Sequence, residues 1–571
     1  MSYVLHFAKS YRKQIILGPI FKLLEAIFEL LLPLFMASLV DDGIQQDDWP
    51  AVVKTTIWML IITIVGLSCA MVCQYFASVA SQGFGTELRN QLMKKVNQLS
   101  HKELNDFGTD TLITRMTNDI NQVQLALAML IRLVVRAPFL SIGAVIMAFS
   151  IDWQMGLIFL IVLPSFCLVL FAIVSRSVPL YQKVQRYLDR INEIVAQNLS
   201  GVRVIRAFSR RQTEVNRFDK ATDKLSSDYV RVSNISALLN PATTLIMNIG
   251  VLGILTIGGF KVNIGGLQQG QILALVNYMN QMLLALIVIS NLVVIFTRAF
   301  ASAGRIEEVF ASSIEIHDEK EMHLPEKTGG AIQFSQVNFR FSEDFGLALK
   351  DISFTVEAGE TIGITGPTGS GKTALTQLIP RFYDTANGKV LIDDLNVKKW
   401  PLKALRKNVG MVPQTAVLFT GTIRENLQWG KDQATDEECW QALKVAQAQE
   451  FVAKLPQKLD TPIYEGGKNL SGGQQQRLTI ARALVKQPEI LILDDSLSAL
   501  DYQTDYNLRQ ALKKIECTVL VISQRIRSIQ DASQIFVMDS GRLVAKGRHE
   551  ELLESSQEYQ EIVASQEEGI Q

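Results

Sequence analysis

Hydrophobic and polar positions follow two different patterns along the chain. In the first half, six apolar stretches are each long enough for a helix of about 20 residues that crosses a bilayer. They lie near 15–40, 55–80, 129–150, 154–176, 236–260 and 271–297. From 331 onward, short apolar runs alternate with segments of helical spacing, which is typical of an α/β fold. The pattern predicts a membrane helical bundle of six spans followed by an α/β domain.

The links between the apolar stretches alternate in length. Three are short, at 41–50, 151–153 and 261–269, and two are long, at about 81–128 and 177–235. The long links are polar but keep a helical periodicity and contain few glycine or proline breaks. We therefore expect the helices to continue far beyond the membrane.

The distribution of charge predicts the orientation. The N-terminus and the long links are rich in lysine and arginine, whereas the first short loop carries four aspartates and no base. The positive-inside rule then places the N-terminus and the long links in the cytoplasm. Six spans return the chain to the same side, so we expect a multi-pass protein of the inner or plasma membrane whose α/β half is cytoplasmic.

Length and composition agree with two different halves. A chain of 571 residues should hold more than one domain. We place a membrane domain at 1–310, a polar linker at 311–330 and an α/β domain at 331–571. The net charge is zero, so nothing indicates a nucleic-acid partner, and the five cysteines show neither zinc-site nor disulfide spacing. The first apolar run is too long for a cleavable signal peptide.

Charged residues interrupt two of the apolar stretches. Glu25 and Glu29 lie one helical turn apart on the first stretch, beside Lys22, and Arg132 and Arg136 lie one turn apart on the third. Counted from the outer ends, the two pairs lie at about the same depth. Charges in a membrane are costly and face the bundle interior or water. They indicate either an interhelical salt bridge or a substrate-cavity or gating site, and both interpretations stay open.

The segment 366–373 matches the phosphate-binding P-loop pattern, between a strand-like run and a helical segment. Glycines in such a loop let backbone N–H groups converge on phosphates. We expect Lys372 to reach the outer phosphates and the Thr373 hydroxyl to ligate Mg²⁺, so ATP and Mg²⁺ are the predicted cofactors. The predicted phosphate-binding residues are Gly366, Pro367, Thr368, Gly369, Ser370, Gly371, Lys372 and Thr373.

A second motif, at 469–477, is a Ser-Gly-Gly turn that opens a helix. With this signature, the chain resembles the ATP-binding cassette (ABC) exporters over essentially its whole length. The arrangement is that of a half-transporter, with six spans followed by one nucleotide-binding domain. The resemblance implies that Ser471, Gly472, Gly473 and Gln474 cap the γ-phosphate of ATP bound to the opposite domain of a dimer.

The remaining family motifs follow in order. By resemblance, Phe341 stacks on adenine, where tyrosine is commoner, and Gln414 is the glutamine that contacts Mg²⁺ and senses the membrane domain. Asp494 ends an apolar strand and would hold Mg²⁺ through water. Residues 498–501 match the loop that crosses the dimer interface. The predicted metal ligands are Thr373, Gln414 and Asp494.

The resemblance also implies two short helices, at the midpoints of the long links, that dock on the nucleotide-binding domains. We place these docking segments near 104–114 and 208–218. In this family they touch a loop whose acidic member here is Glu465.

Two predicted catalytic positions depart from the family pattern. Asp495 stands where a glutamate normally polarises the attacking water, and Gln524 stands where a histidine is expected. Aspartate is shorter by one methylene, and a misplacement of about 1 Å can cost about 100-fold in rate. Glutamine cannot take a charge. Together the two changes indicate a site that binds ATP but hydrolyses it poorly.

An intact signature beside these two losses favours a heterodimer, whose second half-transporter carries the glutamate and the histidine. This arrangement resembles the heterodimeric multidrug exporters of bacteria, which implies ATP-driven export of hydrophobic or amphipathic small molecules across the lipid bilayer. Two alternatives stay open: a lipid or peptide exporter, and an ATP-gated regulator or channel with little turnover. The partner's residues at the two positions would discriminate the regulator or channel from the exporters.

Overall fold

The computed structural model describes residues 2–318, 321–325, 328–343 and 345–567. The chain forms two compact units, of which the first comprises Met1–Asn97 and Asp110–Ala311 and the second comprises Gln98–Thr109 and Ser312–Gln571. A short piece of the first long link therefore belongs with the second unit. Residues 319–320 and 326–327 of the predicted linker, and 568–571 of the predicted α/β domain, lie outside the described residues.

Long helices build the first unit. Within the described ranges, six helical stretches are long and apolar enough to cross a membrane: Tyr3–Ile44, Trp49–Val96, Thr109–Ile151, Trp153–Ser200, Arg211–Asn263 and Gln269–Ala311. The six predicted spans and the helical long links are confirmed. The α-helices up to residue 311 are α1 (Ser2–His6), α2 (Arg12–Ser38), α3 (Trp49–Val96), α4 (His101–Phe107), α5 (Thr109–Thr114), α6 (Ile120–Met129), α7 (Arg136–Ile151), α8 (Trp153–Ser200), α9 (Val202–Ala207), α10 (Arg211–Ala237), α11 (Leu239–Asn263) and α12 (Gln269–Ala311).

Small residues let α2, α7 and α12 pack closely. Ala26 of α2 and Ala144 of α7 are fully buried in one apolar cluster. A Cβ added at Gly143 would lie only 2.4 Å from a methyl group of Leu30, so the Leu30 side chain packs directly on the backbone of α7 there. The buried Tyr278 of α12 donates its hydroxyl hydrogen to the Leu30 carbonyl at 2.6 Å. These contacts make the three helices the centre of the bundle.

A salt bridge joins α2 to α7 within the apolar stretches. An Nη2 atom of Arg136 lies 2.7 Å from Oε2 of Glu29, and its Nε lies 3.9 Å from Oε1 of Glu25. Glu25 is itself paired with Lys22 at 2.6 Å, on its own helix. The interhelical pairing predicted for these glutamates is therefore confirmed for Arg136.

The second arginine, Arg132, has a different environment. Its Nη2 donates to the Ser78 hydroxyl of α3 at 3.0 Å, and its Nε is buried without a hydrogen-bond partner. No carboxylate of the described residues pairs with it. Of the two arginines that the sequence offers as partners, Arg136 forms the salt bridge, and the substrate-cavity interpretation stays a prediction.

A buried charge lies outside the apolar stretches, at the end of the helical segment Arg115–Asp119 that links α5 to α6. Asp119 is fully buried. It accepts hydrogen bonds from Nε of Arg305 at 2.8 Å and from the hydroxyl of Ser302 at 2.9 Å, both on α12. A buried carboxylate is tolerated when it is paired and hydrogen-bonded in this way.

The second unit contains two main sheets. Its strands are β1 (Ile332–Phe339), β2 (Leu349–Val356), β3 (Thr361–Thr365), β4 (Asn387–Ile392), β5 (Leu395–Asn396), β6 (Val409–Val412), β7 (Gly421–Thr422), β8 (Pro462–Ile463), β9 (Ile490–Asp494), β10 (Thr518–Ile522), β11 (Gln534–Asp539) and β12 (Arg542–Gly547). The larger sheet has the order β12-β11-β3-β10-β9-β6, and the smaller, antiparallel sheet has the order β2-β1-β4-β5. The predicted α/β fold is confirmed.

Helices α13, α14, α18 and α20 pack on the larger sheet. The α-helices of this part of the chain are α13 (Lys372–Leu378), α14 (Leu402–Asn408), α15 (Ile423–Gln428), α16 (Asp436–Val445), α17 (Gln449–Lys454), α18 (Gly472–Val485), α19 (Tyr502–Leu512), α20 (His549–Ser555) and α21 (Gln557–Glu567). Strands β9 and β10 are buried at every position, as expected for central parallel strands with covered faces. Their pairing with β3 and β6 is parallel throughout.

The short helix α4, from the first long link, packs within the second unit. The ring of His101 stacks on Phe382 with centroids 4.3 Å apart. Asn105 donates its side-chain N–H to the Tyr383 hydroxyl at 3.3 Å, and Lys102 pairs with Glu315 at 2.6 Å. These contacts explain why residues 98–109 belong to this unit.

The predicted position of the second docking segment needs correction. The first window, 104–114, contains the end of α4 and the short helix α5, which Gly108 separates with a φ of 73°. The short helix of the second long link is α9. The predicted window 208–218 instead falls mainly on the long helix α10. A left-handed turn at Ser209 (φ 54°) separates the two helices, and a midpoint counted along the link does not locate such a turn. Phe208 lies at the end of α9 and is 73% exposed.

The paired glutamate and arginine allow a double-mutant test. We expect Glu29→Gln and Arg136→Gln each to destabilise the protein, while the double variant loses less than the sum, with a coupling of about 0.5–3 kcal/mol in thermal unfolding. Glu29→Gln combined with Arg132→Gln is the matched control and should be additive. Additive effects for the first combination would contradict the pair, and loss of dye transport at normal stability would favour the cavity interpretation.

Candidate nucleotide site

Four parallel strands end at one edge of the larger sheet, and the predicted site residues follow their ends. The P-loop follows β3, Gln414 follows β6, Asp495 follows β9 and Gln524 follows β10. The register places Ile522 opposite both Ile364 and Asp494, so these ends are level. Ligands of open α/β sheets bind at such an edge. Here it forms a cavity of about 310 Å³.

The P-loop has the backbone shape that its glycines allow. Gly366 and Gly371 have φ values of 145° and 99°, which side-chain-bearing residues rarely adopt. A Cβ at Gly366 would also lie 2.0 Å from the carbonyl oxygen of Met538. Thr368 and Gly369 line the cavity, and helix α13 begins directly after Gly371. The glycine conformations therefore shape the loop so that its residues line the cavity.

The side chain of Lys372 folds back over the backbone of the P-loop. Its Nζ donates to the carbonyls of Gly366 and Pro367, both at 2.8 Å, and lies 3.3 Å from the hydroxyl of the buried Ser370. Burial lowers the pKa of the ammonium group, against the raising effect of the Asp495 and Asp494 charges. An anionic ligand beside Nζ would favour its charged form.

Asp494 and Thr373 face each other across the base of the cavity. Oγ1 of Thr373 lies 3.4 Å from Oδ1 of Asp494. Burial raises the pKa of Asp494, the Thr373 hydrogen bond lowers it, and the nearby charge of Asp495 raises it further. A cation at this point would be favoured by both oxygens and would stabilise the ionised carboxylate.

Asp495 points into the cavity from a left-handed backbone. Its φ is 45°, and its N–H donates to the Ile522 carbonyl at 3.0 Å, which anchors it to β10. Its Oδ2 lies 3.4 Å from the side-chain nitrogen of Gln414. Burial raises the pKa of Asp495, while Lys372 and then Arg525 lower it. Its carboxylate therefore belongs to the same cavity as the P-loop lysine.

Aromatic and polar walls complete the cavity. Phe341 is 42% exposed and packs edge-on against Phe339 and Tyr383, with ring centroids 4.8 and 5.4 Å apart. Its free face is available for stacking. Gln524 lines the opposite wall. The structure thus brings together the predicted residues Phe341, Gln414, Asp494, Asp495 and Gln524 with the P-loop.

The signature residues lie elsewhere on the second unit. Ser471 caps α18, because its hydroxyl accepts from the Gln474 N–H at 3.4 Å while its own N–H donates to the Gln474 side chain at 2.9 Å. None of the described residues from Ser471 to Gln474, including Gly472 and Gly473, lines the cavity. This chain alone therefore does not place its signature on its own P-loop.

Some residues at the site were not predicted from the sequence. Ala348, Ala374 and Ile522 line the cavity, and Tyr383 supports Phe341 from behind. Ala374 directly follows the P-loop on α13, whereas Ala348 and Tyr383 lie outside the recognised motifs and reach the site through tertiary packing. The buried strand end at Ile522 is the one with a detectable signal, since it ends an apolar run.

Comparisons with known proteins cover nearly the whole chain. The family model of the ABC transporter transmembrane region matches residues 15–286, and a second model, described as ABC transporter, matches residues 349–498. The uncharacterized ABC transporter ATP-binding protein YfiB of Bacillus subtilis is 38% identical over 99% of this chain and 98% of its own length. The chain belongs to the ABC exporters.

Two further comparisons agree with this membership. The ATP-dependent lipid A-core flippase of Chromobacterium violaceum is 31% identical over 96% of this chain and 94% of its own length. A solved structure of a bacterial Atm1-family ABC exporter with ATP bound is 25% identical, with a TM-score of 0.81, and the match covers 97% of this chain and 99% of that one. The exporter fold, ATP binding, the multi-pass membrane location and the transport ATPase activity are thereby confirmed.

The aromatic wall of the exporter's cavity can be tested by binding. We expect Phe341→Ala to weaken ATP binding by about 10- to 100-fold, because stacking of a base on an aromatic ring contributes about 1–3 kcal/mol. Phe341→Tyr should bind normally, and Phe345→Ala, at a 70% exposed position in the same loop, is the control. Titration with a fluorescent ATP analogue measures the affinities. Equal affinities of all three variants would contradict adenine stacking.

Proposed function

We propose that this exporter is the degenerate-site half of a heterodimer that exports hydrophobic or amphipathic compounds. One observation carries the proposal. The nucleotide cavity contains Asp495 and Gln524 in place of the usual glutamate and histidine, while the signature at Ser471 is intact. The proposed topology has the N-terminus and the nucleotide-binding domain in the cytoplasm. The proposed domains are the membrane domain 1–310 and the nucleotide-binding domain 331–571, joined by the linker 311–330.

The donor set of the cavity supports a magnesium nucleotide. Mg²⁺ prefers oxygen ligands and usually binds through one or two carboxylates together with substrate phosphates. The Thr373 hydroxyl, the Gln414 amide and the Asp494 carboxylate supply such oxygens at one cavity. Within the described residues, no cluster of three or more His, Cys, Asp and Glu side chains forms a metal cage, which agrees with a cation held partly by phosphate. When bound, the ion would neutralise phosphate charge.

The two departures weaken hydrolysis at this cavity for different reasons. The Asp495 carboxylate is one methylene short, and its left-handed backbone, tied to Ile522, limits how far it can advance. Gln524 presents a neutral amide, so it cannot place a positive charge beside the terminal phosphate. ATP is then bound by Lys372 and the P-loop but is turned over slowly.

The signature supports a second, competent site. The capping box at Ser471 holds the start of α18 in the conformation in which its N–H groups can meet an anion. Because these groups do not line this chain's own cavity, we assign them to ATP on the partner half-transporter. That partner would carry the glutamate and histidine that this chain lacks.

Two alternative functions are each supported by a different observation. A lipid exporter is supported by the similarity to a protein named as a lipid A-core flippase; a peptide exporter stays open in the same class. An ATP-gated regulator or channel is supported by the same two departures, Asp495 and Gln524, and would follow if the partner shares them. Turnover of the purified complex separates the last alternative from the exporters.

Asymmetry between the two sites predicts opposite results for two variants. Asp495→Asn should change the ATPase rate of the complex little, because the weak site contributes little turnover. Ser471→Arg should lower it by about 100-fold or more, because that residue faces the phosphate at the strong site. The partner's catalytic Glu→Gln change should be as severe. Steady-state ATPase of the purified pair in lipid measures all three.

Two outcomes would contradict this assignment. A collapse of activity with Asp495→Asn, or normal activity with Ser471→Arg, would mean that the two sites are exchanged. Full ATPase activity in a preparation that contains only this chain would contradict the heterodimer itself.

We further propose that α9 docks on a nucleotide-binding domain of the assembly. Phe208 at the end of α9 is exposed. The second unit carries a matching exposed aromatic pair, Phe419 and Trp429, stacked with centroids 4.3 Å apart. An aromatic side chain that inserts beside such a pair would transmit motion from the membrane helices.

This docking predicts a separation of transport from ATP binding. Phe208→Ala should lower transport by about 10- to 100-fold, since a loosened joint misplaces the moving parts, and ATP binding should stay normal. Trp429→Ala should reproduce the effect from the other surface. Dye transport in vesicles and ATP-analogue binding measure the two quantities. Equal loss of both with either variant would contradict the assignment.

A further inference from the structure

The last helix, α21, packs against the segment that follows β10. Its Tyr559 is fully buried, and Ile562 and Val563 pack on the same apolar cluster that contains Ile526. The helix therefore has a fixed position relative to the switch segment, which we define as residues 523–526. Gln566 lies one helical turn beyond the anchoring apolar residues, beside this segment.

The side-chain amide of Gln566 bridges two backbone groups of the switch segment. Its Oε1 accepts from the N–H of Ile526 at 2.9 Å, and its Nε2 donates to the carbonyl of Gln524. A backbone N–H can only donate and a carbonyl can only accept, so the two contacts assign the amide orientation without ambiguity. Ile526 is buried, and its N–H needs a partner inside the protein.

Both bridged peptide groups flank Arg525. The Arg525 side chain donates from Nη1 to the Leu500 carbonyl at 3.3 Å, within the predicted interface loop 498–501. The backbone N–H of Arg525 donates to the Ser523 hydroxyl at 2.9 Å. The backbone position at Arg525 thus sets two things at once: the direction of Gln524 into the cavity and the contact to the interface loop.

We propose that Gln566 is a positioning residue for ATP hydrolysis, which holds the switch segment and, through Arg525, the interface loop in their working positions. The C-terminal helix is then part of the ATPase machinery although it does not touch the nucleotide cavity. The inference rests on the proposed roles of Gln524 and of residues 498–501.

The test uses the complete exporter, this chain with its second half, in lipid. Gln566→Glu keeps the shape and the acceptor but loses the donor, and its charge faces the Gln524 carbonyl. Gln566→Ala removes both contacts. Gln557→Ala is the matched control, because that amide donates to Glu561 on the exposed face of the same helix at 3.0 Å. The measured quantities are kcat, the KM for ATP, the Tm and the pH profile of each variant relative to wild type.

We expect Gln566→Glu to lower kcat by about tenfold near neutral pH, because loss of the donor shifts Arg525 and, through it, the interface loop that serves the partner's competent site. KM and Tm should stay nearly unchanged, because the groups at the phosphates and the apolar anchor of α21 stay in place. A protonated carboxyl has one donor and one acceptor, as the amide does. The neighbouring carbonyl stabilises that protonated form, so the ratio of Gln566→Glu to wild type should rise as the pH falls towards the carboxyl pKa. Gln566→Ala should lose kcat at all pH values.

Three results would overturn the inference. They are an unchanged kcat in both Gln566 variants, a Gln566→Glu ratio that does not vary with pH, and a fall in kcat matched by a fall in Tm. A collapse of ATPase with Asp495→Asn, together with the pH-dependent loss in Gln566→Glu, would instead overturn the site assignment of the proposed function and support this inference.

Discussion

The parallel pairing of β3, β6, β9 and β10 is the constraint on which the nucleotide site depends. Parallel strands bring their carboxyl ends to one edge, so the residues that follow them meet although they are far apart in the chain. The level register of these strands places the P-loop, Gln414, Asp495 and Gln524 around one cavity. Antiparallel pairing of any one strand would send its functional residue to the opposite edge.

Burial of charge governs the chemistry at that edge. Lys372, Asp494 and Asp495 share a cavity in which burial opposes the ionised form of each. A nucleotide with its cation would supply the opposite charges that favour those forms, which agrees with ATP binding. Catalysis needs more than binding, since a base has to reach the attacking water. The shorter Asp495 and the neutral Gln524 leave the binding charges in place and change the groups that would act on the water.

Burial of charge also shapes the first unit. Within the apolar stretches a charge has little water to replace a missing partner, and Arg136 there joins α7 to α2 through Glu29. Outside these stretches, the buried Asp119 is held by Arg305 of α12. Arg132 has only the Ser78 hydroxyl as a partner among the described residues.

Local backbone chemistry explains what the sequence by itself determined. The length of an apolar run predicts a membrane span, and the glycines at 366–371 predict a phosphate-binding loop. The departures at Asp495 and Gln524 can also be read from the sequence. Each of these features is encoded within one continuous segment of the chain. Only the tertiary structure decided that Arg136, and not Arg132, meets Glu29, and that Gln566 bonds to a segment 42 residues earlier. Such partners depend on the rotation and offset of packed helices, which long-range contacts set and no local pattern records.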